Sequence, residues 1–195
     1  MDRKSSIVEA AKKLISHFGY KKTTMEDIAR EIGIAKATLY HYFPSKEDIL
    51  REIINREGEI LRNKLQEVVE KDIPPDRKIR EYTYTRFHYL RELALYYKTL
   101  SEEYYSQIPF IEHERQKFDL FELDMLEKIL MEGLERGVFD VPDTRLYAFV
   151  LLQAVKALEL PLATGKALKM DDEELELDDV LDLLLKILIK GIGKK

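Results

Sequence analysis

Residues 24–46 contain two short helical segments separated by one glycine, and this spacing constrains the fold more than any other feature of the chain. Thr24 stands where a helix N-cap is expected, with Asp27 three residues on to complete a capping box. Gly33 is predicted to end the first segment, because a left-handed residue costs least without a β-carbon. A second short helix over residues 36–43 then completes a helix-turn-helix, whose second helix enters the major groove of DNA.

The flanking sequence predicts a small helical core around this motif. Ser6 and Glu9 have capping-box spacing, which predicts a first helix that begins near Ser6 and ends at Gly19. Ser45 and Asp48 repeat the spacing and predict a cap for a long helix that reaches about residue 70. Many small helical domains share such a layout, so the function must be argued from side chains.

The side chains of the second helix in the motif suit a DNA groove. Leu39 and Phe43 are predicted to face the core. Small and polar residues face outward at the start of the helix, where bulk would hold the helix away from base edges. Tyr40, Tyr42 and Lys46 can reach phosphates, which fixes register without reading sequence. The predicted outward-facing residues are Lys36, Ala37, Thr38, Tyr40 and His41.

The run IGIAKATLYHYFPSKEDIL resembles the signature of the tetracycline-repressor (TetR) family of bacterial transcriptional regulators. The resemblance covers roughly residues 5 to 55 and rests on the turn glycine, Lys-x-Thr-Leu-Tyr, the aromatic YHYF and Pro-Ser-Lys-Glu. Ala35 departs from it, since the family often has a capping serine or threonine there, worth ~1 kcal/mol. The resemblance implies that the DNA-binding positions are Thr24, Lys36, Ala37, Thr38, Tyr40, His41, Tyr42 and Lys46.

Charge is distributed unevenly along the chain. The net charge is −5 overall, but residues 1–50 carry nine Lys and Arg against seven Asp and Glu. The basic end is therefore the predicted DNA-binding end, because the local face matters more than the total. An excess of only two positive charges is mild. We therefore expect affinity to depend on a paired site, as a homodimer on a near-palindromic operator would provide.

The remaining sequence predicts an all-α chain. We expect a helix-turn-helix domain over 1–47 and a larger helical ligand-binding and dimerisation domain over 48–195. Pro109, Gly137 and Pro142 are predicted to lie in loops, and no useful strand-like alternation is present. Further helices are predicted at 77–99, 101–107, 111–136, 144–163 and 176–190.

An unusual share of the aromatic residues lies between residues 82 and 121, where eleven of the nineteen are found. Tyrosine is an awkward core residue and a useful pocket wall, because a buried hydroxyl needs a partner. In the TetR family the corresponding helices enclose an effector cavity. We therefore predict a pocket for a small hydrophobic or amphipathic effector, such as a fatty acyl compound, although ordinary core packing explains any single residue as well. The predicted wall residues are Tyr82, Phe87, Phe121 and Met125.

The C-terminal helices have the composition of an interface. Eight of the ten residues from 180 to 189 are apolar, which leaves almost no polar face. The run 150–162 is similarly rich in Val, Leu and Ala. We predict that the helices near 144–163 and 176–190 pair with the same helices of a second copy, as TetR-like dimers do.

Other classes of function have less support in the sequence. The chain has no cysteine, no glycine-rich phosphate loop and no histidine motif with metal-ligand spacing, so no cofactor, metal or enzymatic activity is expected. It also lacks a signal-like N-terminus and an apolar run of membrane-spanning length, which predicts a cytoplasmic protein. A DNA-binding regulator without an effector is the main alternative, and a small-molecule enzyme is a weaker one. Repression relieved by a ligand is what the resemblance implies.

Overall fold

The computed structural model describes residues 2–96, 101–158 and 168–193, and within them the chain has eight helices and one small hairpin. The all-α prediction is confirmed. The elements are α1 (Arg3–Phe18), α2 (Met25–Glu31), α3 (Lys36–Tyr42), α4 (Lys46–Glu70), α5 (Pro75–Tyr96), α6 (Ser101–Glu135), α7 (Thr144–Ala157), β1 (Leu168–Met170), β2 (Glu173–Leu175) and α8 (Leu177–Ile192).

The chain forms two compact units. The first contains Met1–Glu59 and Leu93–Gln116, and the second contains Ile60–Glu92 and Lys117–Lys195. α4, α5 and α6 each contribute residues to both units, since each runs without interruption across a unit boundary. The functional division at residue 47 therefore stays a prediction.

The core of the first unit is built by α1 to α4. The inward stripe of α1 packs with buried residues of α2, with Leu39 and Phe43, and with Ile49, Leu50 and Ile53 of α4. α6 also contributes to this unit, since Phe110 packs against the same core and Glu114 accepts a 2.9 Å bond from Arg51 Nε. The long fourth helix therefore supports the three shorter helices that precede it.

The first helix begins earlier than the sequence suggested. Its N-cap is Asp2, whose carboxylate accepts a bond from the Ser5 amide at 2.6 Å. The prediction of a start near Ser6 is wrong because Asp2 offers the cap one turn earlier, and the Ser6 hydroxyl instead donates to the Asp2 carbonyl. The helix predicted at 77–99 also begins earlier, at Pro75, because proline suits the first position of a helix.

Pro109 does not interrupt α6, which the sequence divided into helices at 101–107 and 111–136. A proline inside a helix costs one backbone hydrogen bond and about 3 kcal/mol. Long apolar stretches on the C-terminal side offset that cost, since Phe118, Met125, Leu126, Ile129 and Leu130 are all buried. The predicted loops at Gly137 and Pro142 are confirmed.

The ends of two other predicted helices, at 97–99 and 159–163, lie outside the described residues. The hairpin of β1 and β2 was not predicted. Each strand has only three residues, and the non-glycine residue Asp171 takes a left-handed conformation in the turn. Such short strands leave too little alternation for a sequence pattern to reveal. No helix in the described part of the chain is long and apolar enough to cross a membrane.

The core of the second unit leaves no room for a side chain at Gly133. A β-carbon built there would lie 2.0 Å from the ring of Phe139, which is buried after the turn at Gly137. The carbonyl of Gly133 also accepts bonds from the amides of Val138 and Phe139, at 2.8 and 3.1 Å. The chain therefore folds back closely over this glycine.

Gly133→Ala is expected to lower the free energy of unfolding by about 2 kcal/mol, as overpacking of a filled core does. Gly191→Ala is the matched control, because Gly191 also lies in a helix of this unit and no atom lies within 4 Å of its would-be β-carbon. The control should be neutral or gain up to ~1 kcal/mol in helix propensity. Urea unfolding of both variants measures the difference, and equal effects would show that Phe139 does not restrict the site.

Candidate nucleic-acid interface

α2 begins with the capping box that the sequence predicted. Thr24 Oγ1 accepts a bond from the Asp27 amide at 3.2 Å, and the Asp27 carboxylate accepts bonds from the Thr24 amide and hydroxyl at 3.1 and 2.6 Å. These bonds from Thr24 hold the pKa of Asp27 below its usual value. The box fixes where α2 begins and leaves the Thr24 side chain exposed at that end.

The turn between α2 and α3 depends on Gly33. Its φ of +67° lies in the left-handed region that favours glycine. The amides of Gly33 and Ile34 then bond back to the carbonyls of Arg30 and Ala29, at 3.2 and 3.0 Å. Only four residues therefore separate the two helices. No side chain caps α3 at Ala35, as predicted for this position.

α3 has one buried face and one exposed face. Leu39 and Phe43 are buried in the core of the first unit, which holds the helix in place. The opposite face presents a lysine, a small residue, hydroxyls and an imidazole, with Tyr40 41% and Tyr42 40% exposed. The predicted outward orientation is thus confirmed for Lys36, Ala37, Thr38, Tyr40 and His41, and Tyr42 is exposed with them.

Lys36 carries the only formal positive charge on α3, and it is not isolated. Its ammonium pairs with the Glu26 carboxylate on α2 and lies 5.7 Å from the centre of the Tyr40 ring. The bond from Lys36 lowers the pKa of Glu26, and the same bond raises the pKa of Lys36. Sequence reasoning missed Glu26, because the ten-residue separation gives no helical spacing between the two.

Lys46 differs from the other predicted DNA-binding residues, because its ammonium turns toward the protein. Nζ donates to the carbonyls of Tyr20 and Thr23 at 2.6 and 2.8 Å and lies 4.2 Å from the centre of the Tyr20 ring. Burial, with a smaller contribution from the Glu47 carboxylate, raises the pKa of Tyr20 to about 12. The tyrosine is therefore neutral at physiological pH.

The cap predicted for α4 is confirmed. The Asp48 amide donates to Ser45 Oγ at 3.1 Å, and the Ser45 hydroxyl donates to the Asp48 carboxylate at 2.7 Å. The hydroxyl bond lowers the pKa of Asp48. Arg51 Nη1 donates to the same carboxylate at 2.6 Å, so the first turn of α4 is well fixed next to α3.

The residues predicted to line an effector pocket lie in the second unit, and they differ in burial. Tyr82, Phe87 and Met125 are buried in its core. Phe121 is 42% exposed, and the Arg62 guanidinium lies 4.5 Å from the centre of its ring. The pocket itself stays a prediction.

A buried polar cluster beside Tyr82 was missed by sequence reasoning. Glu122 accepts a 2.5 Å bond from Arg86 Nε and a 3.3 Å bond from the Tyr82 hydroxyl, and all three residues are buried. Burial, assisted by the Glu122 charge, raises the pKa of Tyr82 well above its usual value. A signal existed, because Lys78, Tyr82 and Arg86 recur every four residues along the inward stripe of α5.

α7 and α8 each retain an uncovered apolar face. On α8, Leu181 and Leu185 are buried, whereas Leu183 is 58% and Ile187 60% exposed. On α7, large apolar residues with helical spacing are exposed, namely Leu146, Phe149 and Val150. Within the described residues, no group of three or more His, Asp or Glu side chains is arranged to hold a metal ion.

These features define a helix-turn-helix protein, and comparison with known proteins shows which family its first helices match. Residues 7–53 match the family described as bacterial regulatory proteins, tetR family. The transcriptional regulator YhgD of Bacillus subtilis is 28% identical over 158 residues, which cover 81% of this chain and 83% of YhgD. The fatty acid metabolism regulator protein of the same species is 26% identical over 196 residues, 97% and 95% of the two chains.

A solved structure shows the same fold over nearly the full length. The transcriptional regulator FadR from Bacillus subtilis, in complex with stearoyl-CoA, superimposes with a TM-score of 0.68 at 22% identity and covers 97% of this chain and 99% of its own. Residues 7–53 thus match the DNA-binding region of the tetR family, and the comparisons support a transcriptional regulator of that family. Both relatives named above are described as regulators.

Glu26→Gln is expected to raise affinity for any DNA duplex about threefold to fivefold, the scale of one exposed charge pair. The change removes a carboxylate that opposes phosphates and releases Lys36 from its partner. Glu31→Gln is the matched control, because Glu31 lies on the same helix and pairs with Lys13 at 2.7 Å on α1. Fluorescence anisotropy at low salt measures both. An unchanged affinity for Glu26→Gln would place the Lys36–Glu26 pair away from DNA.

Proposed function

We propose that the protein is a ligand-responsive repressor that binds a palindromic operator as a homodimer and is released by a small hydrophobic or amphipathic effector. The observation that carries the DNA-binding part is the geometry of α3. Burial of Leu39 and Phe43 fixes the helix, and its opposite face presents only small, polar or amphipathic side chains. The proposed contact residues on this face and at the start of α2 are Thr24, Lys36, Ala37, Thr38, Tyr40, His41 and Tyr42.

These residues divide by chemistry into two roles. Ala37 and Thr38 lie in the first turn of α3, where a methyl or hydroxyl can approach a base edge. The hydroxyls of Tyr40 and Tyr42 suit phosphate oxygens and would set the register of α3 in the groove. Specificity would therefore come from the start of α3, and positioning from its aromatic end.

The uncovered faces of α7 and α8 support the homodimer. Exposed Leu183 and Ile187 lie one turn apart, and exposed Phe149 and Val150 lie on α7. Monomeric proteins rarely expose large contiguous apolar patches, so a patch of this kind marks an interaction site. A second copy of the same pair would bury them in a four-helix arrangement and set two copies of α3 at a fixed spacing, as a palindrome requires.

The residues of the second unit support an amphipathic effector of the fatty acyl class. Tyr82, Phe87 and Met125 provide apolar and aromatic surface, and Arg86 with Glu122 provides buried polar groups beside it. A site that accepts an amphipathic molecule needs both kinds of surface. The named fatty acid regulator of Bacillus subtilis and the stearoyl-CoA complex of FadR support the same class of effector. A regulator without an effector is the alternative.

The homodimer and operator are tested together by selecting bound sequences from a random duplex library. We expect inverted repeats whose half-sites lie about one helical turn apart. Substitution of both Leu183 and Ile187 with Asp should give a monomer in analytical ultracentrifugation and lower operator affinity at least tenfold. Leu120→Asp is the control, since Leu120 is equally exposed on α6. Selection of a single half-site by a wild-type monomer would contradict the proposal.

The effector is tested with stearoyl-CoA as the probe and coenzyme A alone as its control. We expect stearoyl-CoA to weaken operator binding at least tenfold, because release requires tighter binding to the form that does not bind DNA. Phe121→Ala should reduce that response and leave operator affinity unchanged, whereas Leu120→Ala should change neither. Operator binding that resists acyl-CoA, free fatty acid and fatty alcohol alike would favour the effector-free alternative.

A further inference from the structure

Lys46 is a predicted DNA-binding residue whose ammonium turns inward to backbone carbonyls of the protein, whereas the ammonium of Lys36 pairs with an exposed carboxylate. An ammonium has three N–H donors and no acceptor. Two of the donors bond to the carbonyls of Tyr20 and Thr23 at 2.6 and 2.8 Å, and the nearby Tyr20 ring adds a cation–π contact at 4.2 Å. The ammonium therefore has little capacity left for a phosphate.

The two carbonyls belong to the loop that leads into α2. Within this loop, the Thr23 amide and hydroxyl both donate to the Gly19 carbonyl, at 3.2 and 2.8 Å, so the chain makes a tight turn. Thr23 is buried, and Thr24 after it is the N-cap of α2. Lys46 bonds to the carbonyls that precede and follow the exposed pair Lys21 and Lys22. These two bonds fix the positions of that pair and of the start of α2.

Lys46 is also the first residue of α4, directly after α3 and its closing turn. Its side chain thus joins the segment after α3 to the segment before α2, on opposite sides of the helix-turn-helix in the sequence. Backbone carbonyls near a loop need partners when they are partly buried, and one ammonium satisfies two of them.

We propose that Lys46 is a positioning residue for DNA binding, which holds the loop before α2 through two carbonyls and does not spend its charge on a phosphate. The proposal rests on the proposed function only in that the α2–α3 face binds DNA. It assigns Lys46 a role different from the one that the sequence predicted.

Charge and geometry are separated by two substitutions at the same position. Lys46→Met removes both, whereas Lys46→Arg keeps the charge and suits phosphates well. A guanidinium is larger than an ammonium and fixes its donors in one plane, so it does not fit the same space between the two carbonyls and the Tyr20 ring. If Lys46 positions the loop, both variants should lose operator affinity at least tenfold. If it contacts a phosphate, Lys46→Arg should retain wild-type affinity, which would overturn the proposal.

The salt dependence of operator affinity gives a second readout. Each phosphate neutralised contributes about 0.9 to the slope of log affinity against log salt concentration. We expect Lys46→Met to lower affinity with an unchanged slope, and a slope reduced by about 0.9 would overturn the proposal. Lys13→Met is the matched control, because it removes the same charge from an exposed lysine of the same unit that pairs with Glu31. It should keep affinity within twofold.

Amide hydrogen exchange tests the loop in the absence of DNA, so the result does not depend on operator binding. Lys46→Met should speed exchange of the Thr23 amide at least tenfold and leave the Ile28 amide within α2 unchanged. Unchanged exchange at Thr23 would overturn the proposal even if the proposed function holds. If the wild-type protein binds no duplex, the proposed function is refuted. The exchange rate of the Thr23 amide would still decide whether Lys46 holds the loop. Lys46→Arg decides alone if Lys46→Met does not fold, as judged by circular dichroism.

Discussion

The left-handed backbone at Gly33 is the constraint on which the DNA-binding face depends. Because Gly33 turns the chain at φ +67°, α2 and α3 are only four residues apart. Leu39 and Phe43 can then reach the core that α1, α2 and α4 build. A residue with a β-carbon at position 33 would strain this turn although no neighbouring atom occupies the space. The exposed face of α3 is therefore set by a backbone requirement outside α3.

Electrostatics on this face is a balance of opposite charges. Lys36 is paired with Glu26, Lys46 is bonded to two carbonyls, and Asp27 is held in the cap of α2. Both lysines therefore already have partners within the protein when no DNA is bound. The excess of positive charge over residues 1–50 is also slight. The affinity of a single copy for DNA would therefore be weak, and the proposed homodimer would combine two such contacts. In the proposed function, the apolar faces of α7 and α8 supply the surface for that homodimer.

The second unit contains buried charges where a purely structural core would have apolar residues. Lys78 donates to the Val69 carbonyl at the end of α4 and to Glu132 of α6, at 2.9 and 2.7 Å. Arg86, Glu122 and Tyr82 form a separate cluster between α5 and α6. A buried ion pair seldom adds stability compared with apolar residues of similar size, and in some proteins it specifies one arrangement of the helices that it joins. Both clusters join helices that the proposed effector would have to move.

The sequence by itself determined the local features of the molecule. Thr24 with Asp27, Gly33, and Ser45 with Asp48 act through neighbours within a few residues, so their caps and turn followed from spacing alone. The stripe that buries Leu39 was equally readable, because helical periodicity is local. Only the tertiary structure decided the partners of Lys36 and Lys46, the start of α1 at Asp2, the continuity of α6 through Pro109 and the burial of Arg86 with Glu122. Most of these features depend on groups that packing brings together from distant parts of the chain. The continuity of α6 depends on burial energy that offsets the local cost of a proline. The spacing of residues along the chain reveals neither the packing nor the burial energy.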